Sequence, residues 1–287
     1  MSNSSLESAI SALSPKLWYK CTETSGTTIT NYGSATGCNL TLAGSYTLND
    51  RELIAGDVQK FLHLNSGTNT TGGRAVSSGI GNLATPASGD WTISLLLEFV
   101  SAMNTTDFWI FSHGSVGETT ATNHQFTVSF SRPNAIPYSF WEFGTGGTNV
   151  EPTFSKALNG GLLGGYNAFS ATSTNKFIVT IIKDSVEMLL SYYVNGFFKE
   201  VISYANEPTG GTSNIIRIGT TQNSPEHVSN STVGHIFYVD SKLSQSDILN
   251  LAYQAGYVTS TSISVAIDSS IDPAIFNADL VDSGYSL

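Results

Sequence analysis

The sequence predicts an all-β chain: two antiparallel sheets packed as a jelly-roll sandwich, with a short helix before the first strand and one helix after the last. Three observations predict it. Of 287 residues, 40% are apolar and only 12% are charged, with 15 Phe and 12 Tyr, a composition that suits pleated, half-buried surfaces. Residues 91–100 alternate strictly, with Trp91, Ile93, Leu95, Leu97 and Phe99 on one side, the period of two that marks a strand with one face on a core. Short apolar runs recur along the chain between Gly- and Asn-rich clusters, as at 144–149 and 159–167, a spacing typical of sandwiches rather than strand–helix–strand units.

The elements follow in order. Residues 4–13 read as a helix with Leu6, Ile10 and Leu13 on one stripe, Ser4 or Ser5 as cap and Pro15 as terminator. Strands are expected at 17–20, 61–64, 91–100, 108–112, 126–131 and 138–143. Residues 177–183, 188–194 and 197–204 form a three-strand meander, because Asn195-Gly196 favours a two-residue hairpin turn. Strands at 215–218 and 233–240 complete the sandwich. A closing helix begins at Ser244, with Asp247 reaching back as in a capping box. It buries Ile248, Leu251, Ala252 and Ala255 and leaves through Gly256. These readings divide the chain into an N-terminal helical arm (1–14), a sandwich domain (15–257) and a C-terminal arm (258–287).

Charge and spacing exclude several functions. Twelve basic against 22 acidic side chains give a net charge of −10, so no basic stripe exists for nucleic acid or for an anionic membrane surface. The first residues lack a basic region followed by an apolar run, which predicts a chain made without a classical export signal. Cys21 and Cys38 are too few for a structural zinc site; they read as two buried thiols or as a disulfide stapling the first hairpin. Glycoside hydrolysis needs two carboxylates facing one bond, yet Glu98, Glu142 and Glu187 each stand alone. There is no G-x-S-x-G elbow and no phosphate loop. His63 and His235 lie inside strands and read as structural. The chain is therefore expected not to be an enzyme.

The order of motifs resembles the laminin-G-like and pentraxin-like branch of the concanavalin A-like jelly rolls. Trp18, Tyr19, Glu23, Gly26, Thr27, Thr41 and Leu42 fit its opening strand and turn. Residues 91–94 resemble its long central strand, and the stretch through Tyr193-Val194-Asn195-Gly196 resembles its signature hairpin. Residues 216–219 and 238–248, with Leu243-Ser244 before the helix, match its closing elements. Where that family often begins its closing strand with an acidic pair, this chain has Gly234 and His235, so the resemblance implies no calcium site there. The chain also looks like virion proteins of tailed bacteriophages that carry such domains.

The function expected from this reading is a non-enzymatic virion structural protein, a capsid decoration or tail/fibre-associated subunit that contacts host surface glycans. The alternative is a carbohydrate-binding lectin-like module outside a virion. A roughly ten-residue helix is marginal alone in water, and a polar arm is loose unless tied down. Neighbouring virion proteins and copies of the chain itself are the expected anchors, through Leu6, Ile10, Ile263, Val265, Ile267, Ile271 and Ile275. Deleting 1–13 or 259–287 should then abolish assembly and leave the sandwich folded. Trp109, Trp141 and Tyr138 are the candidate ligand-binding residues, because large rings on strands stack on sugars or anchor interfaces. No cofactor is required; if calcium binds, Asp90 and Asp184 are its candidates, since calcium takes oxygen ligands from Asp-bearing turns.

Overall fold

The computed structural model describes residues 2–54, 56–65, 67, 71–79, 89–99, 108–114, 124–131, 138–140, 143–145, 148–150, 176–204, 215–219 and 230–259; from 99 to 150 the only side chain described is that of Phe111. One sheet has eight strands. Along it run β15 (Phe197–Ser203), β14 (Leu189–Val194), β13 (Lys176–Asp184), β7 (Trp91–Phe99), β17 (Ser231–Val239), β5 (Lys60–Leu64) and β4 (Tyr46–Glu52). β5 and β1 (Leu17–Tyr19) share one side of β17: β5 pairs with Ser231–Val233, and β1 pairs with the stretch from Ile236 to Tyr238. The other sheet has seven: β10 (Tyr138–Phe140), β9 (His124–Ser131), β8 (Phe108–Gly114), β16 (Ile215–Ile218), β6 (Arg74–Ser77), β3 (Leu40–Ala43) and β2 (Thr28–Ile29). A separate hairpin joins β11 (Phe143–Thr145) to β12 (Thr148–Val150).

Alternation explains where the cores lie. Ile93, Leu95 and Leu97 of β7, with Val179 and Ile181 of β13, meet Phe111, Ile216 and Ile218 of the opposite sheet, and all are buried. The other face of β7 is covered too. Leu96 joins Ile178, Phe237, Leu6, Ile10, Ile248 and Leu251 in a second core, beneath helices α1 (Asn3–Ala12) and α2 (Gln245–Gln254). Thr92 and Ser94 are therefore fully buried, and each is satisfied: the Thr92 hydroxyl donates to Ser241 O at 2.7 Å, and Ser94 bonds the Thr180 hydroxyl at 2.9 Å. This follows the rule that buried polar groups find partners.

Local signals that the sequence carries in short range are realised. Asn195 and Gly196 both take left-handed conformations, φ 52° and 89°, which the tight turn between β14 and β15 requires. A Cβ at Gly196 would lie 3.0 Å from the Ala252 Cβ, so the turn is also wedged under α2. Ser244 caps α2 with a complete capping box to Asp247. Past its C-cap the Gly256 N–H bonds Tyr253 O and the Tyr257 N–H bonds Ala252 O, the Schellman pattern. In β17 a bulge falls between Val233 and Ile236, and a Cβ on Gly234 would come within 2.9 Å of Leu53 and Leu96 side chains.

Several expectations are corrected. α1 starts earlier, with Ser2 rather than Ser4 or Ser5 accepting the Ser5 N–H at 3.2 Å. It ends at Ala12, and Ser14, before Pro15, turns left-handed at φ 53°, outside the right-handed helical region that a residue preceding proline avoids. The single strand expected over 138–143 is two, because β10 pairs with β9 whereas β11 turns back onto β12. β4 and β6 stand where no strand was expected. Of the two readings of Cys21 and Cys38, the pair of buried thiols is the one realised. Leu6 and Ile10, expected to reach neighbouring chains, are 0% exposed within their own subunit, so they have no surface left to offer. Ile263, Val265, Ile267, Ile271 and Ile275 lie outside the described residues.

Candidate functional site

Register between the strands of the seven-stranded sheet aligns the aromatic candidates. Trp109 on β8 stands opposite Ser129 on β9, which stands opposite Phe140 on β10, and Tyr138 stands opposite Ser131. Residues two apart on a strand share a face, so the Trp109, Phe140 and Tyr138 positions belong to one face at the edge of the sheet. Phe111 pairs with Val128, one residue before Ser129, and is a core residue. A bulge between Trp109 and Phe111 breaks the two-residue alternation of β8, so the partner strand, in which Ser129 follows Val128, sets the aromatic positions on the face opposite to that of Phe111. The side chains of Trp109 and Tyr138, and Trp141 altogether, lie outside the described residues.

A second row crosses the same outer face. Ile216 and Ile218 of β16 are in the core, so Arg217 between them is on the outer side. It stands opposite Ser112 on β8 and Val76 on β6; Ser112 is opposite Thr127, Val76 opposite Thr41, and Thr41 opposite Thr28. The row is one guanidinium among hydroxyl-bearing and small positions, beside the aromatic positions. Arg217 is 6% exposed. Arg217 was not singled out from the sequence, although a lone arginine in an Ile-x-Ile strand is the signal that could have found it.

Asp90 and Asp184 are brought together, but around a lysine. The Ser185 N–H and hydroxyl donate to Asp90 Oδ1 at 2.8 and 2.7 Å. Asp184 Oδ1 accepts the N–H groups of Val186 and Glu187, both at 3.0 Å. Lys242 Nζ lies 2.6 Å from Asp184 Oδ2 and 3.7 Å from Asp90 Oδ2. Both carboxyls are held below the ordinary aspartate value, Asp184 first by the Lys242 ammonium and Asp90 first by the Ser185 N–H. The position a calcium ion would take between the two carboxylates is filled by the chain's own cation. Among the described residues no group of three or more His, Cys, Asp or Glu side chains could hold a metal.

No protein-family model and no curated protein sequence matches this chain. Solved structures match it in fold. The binding domain of botulinum neurotoxin DC in complex with rat synaptotagmin II superposes with a TM-score of 0.58 at 13% identity, covering 85% of this chain and 52% of that one. The same binding domain in complex with SialylT gives 0.54 at 14%, over 85% and 52%. The binding domain of botulinum neurotoxin serotype D/C VPI 5993 gives 0.59 at 15%, over 85% and 53%. The chain spans about half the length of these structures, and it shares with them the fold of two antiparallel sheets packed as a jelly-roll sandwich. The expected place in a bacteriophage virion, as capsid decoration or tail-fibre subunit, is overturned. The matching structures named above are binding domains of botulinum neurotoxins, and the N-terminal helix expected to need neighbouring chains is packed on its own sheet.

Proposed function

We propose that the chain is a non-enzymatic carbohydrate-binding module whose binding surface is the outer face of the seven-stranded sheet. The observation that carries this reading is the register that sets the Trp109, Phe140 and Tyr138 positions side by side next to the row through Arg217. A pyranose ring offers an apolar C–H face that stacks on aromatic side chains and a rim of hydroxyls that bonds Ser and Thr. A pocket of this kind needs a few placed polar groups around an apolar platform. The low proportion of charged residues and the 72 Ser and Thr of the chain suit a hydroxyl-rich ligand. Further support comes from binding domains with this fold, one of them in complex with SialylT; the motif order that resembles the laminin-G-like branch points the same way.

The test is retention on a glycan array by the full chain and by Trp109→Ala and Tyr138→Ala variants. Wild type should be retained by a subset of glycans, and each variant should lose that retention while keeping its unfolding midpoint within a few degrees. Equal retention by wild type and both variants would place any binding elsewhere and sink the proposal.

A further inference from the structure

The N-terminal helix is fastened to the eight-stranded sheet through one fully buried imidazole. His235, on β17, is 1% exposed. The Trp18 indole N–H donates to His235 Nδ1 at 3.2 Å, and His235 Nε2 lies 2.7 Å from Asn3 Oδ1, in the first turn of α1. An indole N–H can only donate, so Nδ1 is the acceptor and Nε2 carries the proton given to Asn3. Asn3 Nδ2 in turn donates to Glu7 at 2.9 Å, which fixes its carboxamide with Oδ1 toward the ring. The neutral ring is thus satisfied at both nitrogens, and a second proton on Nδ1 would face a donor.

The surroundings make that proton costlier still. The Phe61 ring of β5 stands edge-on 5.7 Å away. Lys20, following β1, pairs with Glu7 at 2.7 Å and lies 4.7 Å from the centre of the Trp18 ring. Asp57 accepts the Asn3 N–H, which holds its carboxyl below the ordinary value, so it stays charged in mild acid. His63, two residues along β5 from Phe61, bonds Thr232 and Asn230 instead. Burial first and the Lys20 charge second push the His235 imidazole down to about 3.

We propose that His235 and Asn3 form an acid-released latch, so that protonating the imidazole undocks α1 from the sheet and uncovers the apolar patch beneath Leu6 and Ile10. The sign follows from linkage. In the undocked form the imidazole returns to its ordinary value near 6.5, so between pH 6.5 and 3 the undocked form binds a proton that the docked form refuses. Docking is complete above 6.5, and undocking gains about tenfold per pH unit below it.

Hydrogen exchange on the full chain, corrected for intrinsic rates, tests the proposal. Between pH 7.5 and 4.5 the opening constant of α1 amides should rise about 100-fold, while amides of the β7–β13 ladder keep theirs. His235→Gln can accept from Trp18 and donate to Asn3 without titrating, and it should remove the rise. Should that variant not fold, His235→Asn, which likewise does not titrate, should also remove it. His63→Gln should leave it intact. An unchanged opening constant in wild type, an equal rise in the ladder, or a full rise in a folded non-titrating His235 variant overturns the latch.

Discussion

Asn195 illustrates how one residue does two jobs. It turns the β14–β15 hairpin in the left-handed region and also extends the neighbouring ladder, its N–H donating to Ile178 O at 2.8 Å while its side-chain oxygen accepts the Ile178 N–H at 2.9 Å. Gly196 beside it has no such freedom to change. Gly196→Ala must place a Cβ at φ 89° against Ala252, and the left-handed conformation alone costs an L-residue about 1–2 kcal/mol. Urea unfolding should show a loss of at least that size. Ser244→Ala removes the capping hydroxyl of α2 and should cost about 1 kcal/mol, whereas Ser244→Asp should recover most of it in the same assay.

At the scale of elements, the turn after β13 is pinned from two sides, by Asp90 from the start of β7 and by Lys242 from the segment before α2. Both carboxyls titrate below their ordinary value, so their contribution is complete above about pH 4 and is lost as pH falls through the lowered folded values. The partners are partly solvated, which keeps the ion pairs' share small. Carboxyl NMR titration of Lys242→Met should move Asp184 upward, because its largest stabilising partner is gone, while Asp90, held chiefly by Ser185, should move less. Elements were legible from sequence where their own residues decide them. The alternation of β7, the Asn195-Gly196 turn and the Ser244 cap need no distant partner. β4 was missed because Tyr46–Glu52 is a polar run with Asn49 left-handed, and it becomes a strand only through pairing with β5 at its two ends. The Lys242 bridge was missed for a related reason: its carboxylates come from other parts of the chain. Asp90 and Asp184 were legible as a pair of turn acids, but not the ammonium that joins them. The aromatic positions of the candidate site were named from composition, whereas their sharing of a face required the register.

For the whole molecule, the helices are structural members rather than arms. Leu6 and Ile10 complete the second core with residues of β7, β13, β17 and α2. Ile10→Ala should cost about 2–5 kcal/mol, the range for emptying a buried aliphatic site, read from the denaturant midpoint. Removing residues 2–13 should lower the stability of the sandwich itself, which reverses the outcome expected for a detachable arm. The junction of β1 with β17 has a consequence for how this molecule comes into being. Leu17 lies opposite Tyr238 in the middle of the larger sheet, so β1 has no place in that sheet until β17 has left the ribosome. Such distant pairings slow folding. Trp18 and Tyr19 therefore wait for their partner strand until β17 has been made, and refolding from denaturant should be slow, with one late step in which β1 locks onto β17.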